Sequence, residues 1–335
     1  MFDAAFADWN LPARACDEAD RPTAAAALLE RQLDRLDRLG FGRPFMLQPE
    51  SLGLHWFPAE HWLVGCGNAE VLRQPALAVV GTRRPALAEE AAIAGWLAAE
   101  LPRLGLAVVS GGARGIDTLA HRAALRAQLP TVAVLAGGLL QAGPAENRSL
   151  FRDIVAAGGC LLTEQPLGCR PFDTQFVARN RTIAALALGT LVVRAPAQSG
   201  ALTTAGFARR LKRPVAVLPG QPWEESAVGS NGLLARGAVA VAGAAALAEM
   251  LGVALAQGSL PLALAGMEEV ATVTTPNLSE AAQRLWQRLS ATFEEGDALI
   301  GQAGLSGGDA LAALTELELD GLLERRGTQW RRAAR

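Results

Sequence analysis

Between Leu77 and Leu218 the sequence alternates short apolar runs with longer helical patterns. Continuous apolar runs joined by helices are typical of parallel strands whose sheet is covered on both faces. We therefore predict an α/β fold with an extended Rossmann-like, doubly wound, mostly parallel sheet. The predicted strands are Leu77–Val80, Leu106–Val109, Val132–Leu135, Cys160–Thr163, Leu191–Val193 and Val215–Leu218, and the predicted helices are 86–103, 117–128, 145–156, 174–188 and 201–211.

Both ends of the 335-residue chain follow other patterns. Near the start, Thr23 caps a predicted helix whose leucines recur at helical spacing until Gly40 ends it. After an Ala- and Gly-rich connection, the sequence predicts helices over Leu278–Leu289, Asp297–Ala303 and Asp309–Leu319 and a hairpin from Gly321 to Trp330. The expected domains are a small helical (SAM-like) N-terminal domain at 1–60, the Rossmann-like domain at 61–245, a linker at 246–277 and a winged-helix-like domain at 278–335.

Charge is distributed unevenly along the chain. Residues 76–220 hold 16 Lys and Arg against 8 Asp and Glu, a net +8, whereas residues 1–75 total −4 and residues 221–335 total −6. A basic central region favours a polyanionic partner, although heavy arginine use also fits a GC-rich genome. The predicted helix 309–319 and the residue after it carry acids that would repel phosphate, so we expect a protein-contact or structural role for the C-terminal domain.

Several classes of protein are disfavoured. The sequence shows neither a signal peptide nor an apolar stretch that we interpret as a transmembrane span, so no membrane association is expected. Its four cysteines lack CxxC spacing and its three histidines are scattered, which disfavours a zinc site and favours reduced thiols in the cytoplasm. We predict no metal and no cofactor.

Glycine, small hydroxyl residues and arginine follow several predicted strands. Gly81-Thr82-Arg83 comes after the first strand and Ser110-Gly111-Gly112 after the second, while Ser199-Gly200 follows the fifth and precedes a helix. Since parallel strands end at one edge of the sheet, these segments should meet there and bind an anion. Phe176, Arg179 and Arg181 combine an aromatic ring with cations, as sites for single-stranded nucleic acid do. A single glycine-rich segment is as well explained by an ordinary turn, and a single Phe is as well explained by a place in the core.

The order of these segments resembles the DNA-processing protein A (DprA, or Smf) family. G-T-R at 81–83, S-G-G-A-R-G-I-D at 110–117, E-N-R at 146–148, R-N-R at 179–181, S-G-A-L-T-T-A at 199–205, P-G at 219–220 and G-S-N at 229–231 carry the resemblance, which is strongest over residues 60–245. It implies a single-stranded DNA-binding protein that is not an enzyme. It also implies a homodimer that protects incoming DNA and loads the RecA recombinase onto it in natural transformation.

The resemblance also assigns DNA-binding residues. It implies phosphate contacts at Arg83 and Arg114, an aromatic and arginine wall at Phe176, Arg179 and Arg181, and a loop-holding role for Asn180. The remaining implied DNA-binding residues are Gly81, Thr82, Ser110, Gly111, Gly112, Asn147, Ser199, Gly200 and Arg213. The chain departs from the family pattern at Leu140, Gly143, Val177-Ala178 and Arg194.

Two alternatives remain open, a nucleotide-cleaving enzyme of the LOG type and a small-nucleotide sensor. Nucleotide-cleaving enzymes of the LOG type share a related sheet, but they carry a P-G-G-x-G-T segment that Pro219-Gly220-Gln221 does not match. A dinucleotide-dependent oxidoreductase is disfavoured because the first turn lacks GxGxxG. A small-nucleotide sensor, for example in defence, would use the same pocket and bind a mononucleotide tightly.

Overall fold

The computed structural model describes residue 10 and residues 21–58, 61–256, 279–290, 294–295, 301, 303–305, 309–310, 313–314, 317, 322–326 and 329–332. The chain divides into two compact units, residues 1–261 and 262–335. Most of the predicted linker and much of the predicted helices 297–303 and 309–319 lie outside the described residues.

The first unit alternates strands and helices. Its strands are β1 (Phe45–Leu47), β2 (Leu63–Gly67), β3 (Ala76–Val80), β4 (Ala107–Ser110), β5 (Thr131–Leu135), β6 (Cys160–Thr163), β7 (Gly189–Val192), β8 (Val215–Val217) and β9 (Val239–Ala240). Its helices are α1 (Arg21–Arg38), α2 (Leu87–Leu104), α3 (Ile116–Arg126), α4 (Arg148–Ala156), α5 (Asp173–Leu186), α6 (Gly200–Arg210), α7 (Val228–Leu234) and α8 (Ala244–Leu251).

All nine strands form one sheet in the order β1-β2-β6-β5-β4-β3-β7-β8-β9. In this order, the seven strands β6, β5, β4, β3, β7, β8 and β9 are parallel to one another. β2 pairs antiparallel with both β1 and β6. The chain builds outward from β3 to β6, then returns to place β7 on the other side of β3. The strand order therefore reverses between β3 and β7, which is where such sheets bind ligands.

Alternate residues of the strands pack against opposite helical layers. Ala78 and Val80 face the layer that contains α5 and α6, whereas Leu77 and Val79 face α2, α3 and α8. On the second side, α1 and α4 cover the other end of the sheet through Leu29, Leu36 and Phe151. The predicted doubly wound α/β fold is thus confirmed, because apolar strands buried on both faces need helices on each.

The six predicted strands correspond to β3–β8 within two residues, and the five predicted helices to α2–α6 within three. Three short strands, β1, β2 and β9, and the helices α7 and α8 were not predicted. In residues 1–60, α1 ends at Arg38 and is followed by β1, so this region is helical only in part.

The second unit is described through α9 (Glu280–Arg288) and three strands, β10 (Glu294–Glu295), β11 (Leu323–Arg326) and β12 (Gln329–Arg332). β11 and β12 form the predicted antiparallel hairpin, and β10 pairs with the other edge of β12. Leu285, Leu289, Leu317 and Trp330 share a small core. A helix packed on an antiparallel sheet agrees with the winged-helix prediction.

Within the described residues, no helix is long and apolar enough to cross a membrane.

Candidate nucleic-acid interface

A cleft of about 910 Å³ opens where the strand order reverses. One wall is the turn after β3, from Gly81 to Arg84, and the opposite wall is the start of α6, from Ser199 to Thr204. Phe176, Val177 and Asn180 of α5 form the third side. The cleft therefore occupies the carboxyl-end position that the sequence predicts for an anion site.

The turn after β3 is held by its backbone. Thr82 N–H donates to Arg194 O at 2.6 Å, and Thr82 O accepts from Ile116 N–H at 3.1 Å, which ties the turn to the start of α3. Gly81 is needed here because a Cβ atom would lie 2.5 Å from the Ile116 side chain. The exposed side chains of Arg83 and Arg84 are thereby directed from a fixed turn at the mouth of the cleft.

The start of α6 gives the cleft a wall of small residues. Ser199 caps the helix by accepting from Ala201 N–H at 3.3 Å, and Asn180 Nδ2 donates to Gly200 O at 3.2 Å. Apart from the backbone of its own helix, the described residues have no atom within 4 Å of the position that a Cβ atom would take at Gly200. A phosphate can therefore approach the helix N-terminus, whose dipole favours negative charge.

Phe176 pairs with Arg83, whereas the sequence predicted Arg179 and Arg181 as its cationic partners. The Cζ atom of Arg83 lies 5.2 Å from the centroid of the Phe176 ring. Beyond this pair is a second cavity of about 250 Å³, lined mainly by apolar atoms, with Arg83 and Arg114 as the cations nearest to solvent. Arg114 is exposed and lies 3.9 Å from Glu146, a weak surface pair that leaves its guanidinium accessible.

Arg179 lies between the two cavities but is buried. Its Nη1 donates to Gly111 O at 2.6 Å and to Val134 O at 2.5 Å. Burial lowers the pKa of this guanidinium, whereas the nearby Asp117 carboxylate raises it. Since a Cβ atom on Gly111 would lie 2.0 Å from Nη1, this glycine makes room for Arg179.

The loop after β4 is held by buried polar side chains. Asn147 Nδ2 donates to Gly112 O at 3.0 Å and to Thr118 Oγ1 at 2.8 Å, and Ser110 Oγ donates to Val79 O at 2.6 Å. Gly112 adopts a left-handed conformation, with φ of 65°. Ser110, Gly112 and Asn147 thus shape the cleft from within and do not line it.

Asp117 secures the same loop from α3. Its Oδ2 accepts from Ala113 N–H at 3.2 Å. Burial raises the pKa of this carboxyl group, while the charge of Arg179 and the hydrogen bond from Ala113 lower it. Asp117 is therefore part of the floor of the cleft, beneath the exposed arginines.

Two of the residues implied by the resemblance lie away from the cleft. Arg181 lies one helical turn beyond Val177 and does not line the cleft; its Cζ atom is 4.0 Å from the centroid of the Trp56 ring. Residues two apart in a helix point in nearly opposite directions, which separates Arg181 from Arg179. Arg213 donates to Ala187 O before β7 begins, at the opposite edge of the sheet.

The departures from the family pattern have local explanations. Arg194 pairs with Glu89 at 3.0 Å and donates to the carbonyls of Val193, Leu218 and Pro219, joining the ends of β7 and β8 to α2. Burial would raise the pKa of Glu89, but the hydrogen bonds from Arg194 and Ala86 N–H bring it below its usual value. The guanidinium of Arg194 thus makes its ion pair and hydrogen bonds within the fold.

The other departures lie in different surroundings. Leu140 is buried beneath α1 and α4, Gly143 lines the second cavity, and Val177 is 48% exposed in the cleft. Ala178, which stands where the family commonly has a basic residue, is exposed, so a cation is replaced there by a small apolar side chain.

Reasoning from the sequence missed several polar residues that line the cleft, among them Arg84, Gln198, Thr203, Thr204, Glu225 and Ser226. Arg84 and Gln198 adjoin predicted segments, so their sequence position was a usable signal. Thr203 lies one helical turn after Ser199, within a segment whose role was assigned to its first two residues. Ser226 reaches the cleft only through the long loop after β8, which no local pattern indicates.

Comparisons with known proteins agree with this geometry. Residues 51–252 match the family model of DNA recombination-mediator protein A, and residues 269–327 match a DprA winged helix domain. The chain is similar to a putative DNA processing protein DprA of Mycobacterium tuberculosis, with 40% identity over 278 residues, covering 82% of this chain and 68% of that protein. It is also similar to the protein Smf of Synechocystis, with 35% identity covering 74% of this chain and 68% of that one.

Two solved structures share the fold. DprA from Streptococcus pneumoniae superposes with a TM-score of 0.56 and 29% identity, over 70% of this chain and 83% of that chain. DNA processing protein A from Helicobacter pylori, whose structure describes a single-stranded DNA binding mode, gives a TM-score of 0.54 and 30% identity over 62% of this chain and 95% of that chain.

Proposed function

Because this chain belongs to the DNA recombination-mediator protein A family, we propose that it binds single-stranded DNA in the cleft between β3 and β7. The DNA processing protein A of Helicobacter pylori, which is described as binding single-stranded DNA, is 30% identical to it. The family relationship supports the nature of the ligand, and the cleft supports the place where it binds.

The pairing of Arg83 with Phe176 is the observation that carries this proposal. Arginine and an aromatic ring at the mouth of a groove hold a strand by phosphate pairing and base stacking, without reading the base edges. Arg84 on the same turn and the start of α6 across the cleft provide two further places for phosphate.

The second cavity extends this path. We propose that one base lies in the cavity behind Phe176, where the lining is mainly apolar, and that Arg114 at its edge pairs with the adjoining phosphate. Ser110, Gly111, Gly112, Asn147 and Arg179 contribute by holding the loop and the floor in shape. We assign no catalytic step to the cleft.

Wider roles follow from the family and are proposals at the level of the whole protein. We propose that the chain acts in the cytoplasm as a homodimer, protects single-stranded DNA during natural transformation and loads RecA onto it. Only the strand-binding step is argued from the cleft.

Fluorescence anisotropy with labelled oligo-dT tests the strand-binding step. We expect Arg83→Ala to weaken binding about 10-fold, which is ~1.4 kcal/mol. The slope of log affinity against log salt should become shallower by about 0.7, because one phosphate no longer pairs with a cation. Arg122→Ala is the matched control, since Arg122 is an exposed arginine of α3 on the other face of the sheet.

Unchanged affinity in Arg83→Ala would contradict the proposal. A competition experiment distinguishes this proposal from the alternative of a small-nucleotide sensor. If the cleft binds a strand, thymidine monophosphate should displace labelled oligo-dT poorly. Displacement by the mononucleotide as effective as displacement by unlabelled oligo-dT would instead favour the sensor.

A further inference from the structure

Fifty residues of the first unit, Thr174–Trp223, contain no acidic residue and seven cations. Three of the cations, Arg179, Arg194 and Arg213, donate to backbone carbonyls within the fold. The other four are Arg181, Arg209, Arg210 and Lys212, of which the last three are exposed. The exposed cations at the end of α6, Arg209, Arg210 and Lys212, therefore lie in a stretch of sequence without acidic residues.

Two of these cations lie on aromatic rings. The Cζ atom of Arg181 is 4.0 Å from the centroid of Trp56, and that of Arg210 is 4.5 Å from the centroid of Phe207. A guanidinium that covers one ring face has a second face of its own, on which a nucleic-acid base can stack. Each pair repeats the combination of Arg83 and Phe176 in the cleft.

Both pairs are connected to the cleft along a helix face. Val177 and Thr203 line the cleft, and Arg181 and Phe207 each follow four residues later, with Arg210 three residues after Phe207. Residues three and four apart are neighbours on a helix surface. At 1.5 Å per residue, Arg181 lies about 6 Å along the axis from Val177, and Arg210 about 10 Å from Thr203.

We propose that a strand leaving the cleft continues over α5 and α6, stacking bases on the Arg181–Trp56 and Arg210–Phe207 pairs while Arg209 and Lys212 hold its phosphates. We call this surface the α5–α6 track. The inference rests on the proposed function, because the track needs a strand already held in the cleft.

Helix-end electrostatics alone does not account for the track. Cations at the end of α6 complement the negative end of its dipole, which would explain Arg209 and Arg210. Arg181, however, lies in the middle of α5, and its position on Trp56 owes nothing to a helix end.

The test compares a short oligo-dT of about 6 nucleotides with a long one of about 20, using the full-length chain in the anisotropy assay. We expect the double variant Arg181→Ala, Arg210→Ala to bind the short strand within about 2-fold of the wild type and the long strand about 10-fold more weakly. Without the two stacking arginines the strand also leaves Arg209 and Lys212, so the salt slope on the long strand should become shallower by about 0.7 for each phosphate that these two residues no longer hold.

Three further proteins make the result unambiguous. Arg210→Glu changes a single exposed side chain, so it should leave the stability of the fold unchanged. It tests the track in place of the double variant if the double variant unfolds at a lower temperature than the wild type. Arg122→Ala, Arg126→Ala removes two exposed arginines from α3 and should bind both strands as the wild type does. Arg83→Ala should weaken both lengths alike.

Wild-type affinity for the long strand in both track variants, with Arg83→Ala still impaired, would overturn the track and leave the cleft. Equal losses of affinity in the α3 control would also overturn it, since the effect would then be one of net charge. Failure of the wild type to bind either strand would overturn the cleft and the track together.

Discussion

Gly111 has a structural purpose that its place in a glycine-rich turn conceals. Such a turn after a strand suggests backbone that an anion approaches, and we predicted that role from the sequence. In the structure, the space that a side chain would fill at Gly111 is occupied by the guanidinium of Arg179, which donates to Gly111 O and Val134 O. The glycine therefore stabilises a buried cation.

Replacing Gly111 by Ala should consequently destabilise the fold. The added methyl group would lie 2.0 Å from Arg179 Nη1, so the guanidinium must leave its two carbonyl partners and its place near Asp117. We expect a loss of about 2 to 4 kcal/mol in the free energy of unfolding, measured by urea denaturation.

Gly95→Ala is the matched control for this substitution. Gly95 lies inside α2 with no atom within 4 Å of the added Cβ, so alanine should raise the free energy of unfolding by about 0.5 to 1 kcal/mol. Similar stability of the two variants would mean that Arg179 adapts without cost and that Gly111 is not required by it.

The packing of α3 on the sheet depends on a neutral histidine. Thr131 Oγ1 donates to Val108 O at 2.9 Å, so His121 Nδ1, 2.8 Å from the same hydroxyl, must donate to it. His121 Nε2 is then the acceptor nitrogen, and it is buried with no partner among the described residues. Burial, assisted by the charge of Arg179, lowers the pKa of His121 from 6.5 to about 3.

Stability should therefore fall as the medium becomes acidic. Below pH 6.5 the unfolded chain binds a proton at His121, whereas the folded chain does so only near pH 3. The contribution of neutral His121 to the free energy of unfolding is therefore complete above pH 6.5 and is lost as the pH decreases. Between about pH 7.5 and pH 5.5 this group alone should remove roughly 1 kcal/mol from the free energy of unfolding.

Urea titrations of the wild type and of His121→Asn at both pH values isolate this effect. Burial raises the pKa of Asp117 and Glu164, which changes stability with pH in the opposite sense, but both carboxyl groups are present in both proteins. The variant should lose less stability than the wild type on acidification. Parallel losses would show that His121 can be protonated within the fold.

Which elements could be predicted from the sequence depends on how much of each is apolar. The strands β3–β8 are buried throughout and mostly apolar, with polar residues only at or next to their ends, and therefore give a clear pattern. β2 holds two glycines, β1 has three half-buried residues and β9 is an exposed pair, so none of them stands out. Their places in the sheet depend on the neighbouring strands and not on a pattern in their own residues.

The same limit applies to the candidate site. Residue types and strand ends predicted the cleft, because these depend on local order, but the arginine that Phe176 contacts is Arg83 and neither Arg179 nor Arg181 as predicted. The burial of Arg179 could not be predicted, since its partners lie 68 and 45 residues away. Arg179 and Arg181 are two residues apart in α5, and this spacing directs their side chains to different sides of the helix.

Charge on the whole chain separates the two units by what they can bind. Residues 76–220 carry the net +8, and residues 221–335, which include the second unit, carry −6. Because like charges repel, we expect a polyanion to gain most of its affinity from the first unit. A structural or protein-contact role for the winged helix domain stays a prediction.

A chain that ends at Ala256 should therefore retain strand binding. The first unit has its own cores on both faces of the sheet, and it holds the cleft and its arginines. We expect the affinity of this shortened chain for oligo-dT to stay within about 2-fold of the full-length value, with the same salt slope, in the anisotropy assay. A shallower slope together with a loss of about 10-fold or more would place phosphate contacts on the winged helix domain despite its charge. Circular dichroism of the shortened chain distinguishes that outcome from loss of the fold, because an unfolded first unit would also lose its helical signal.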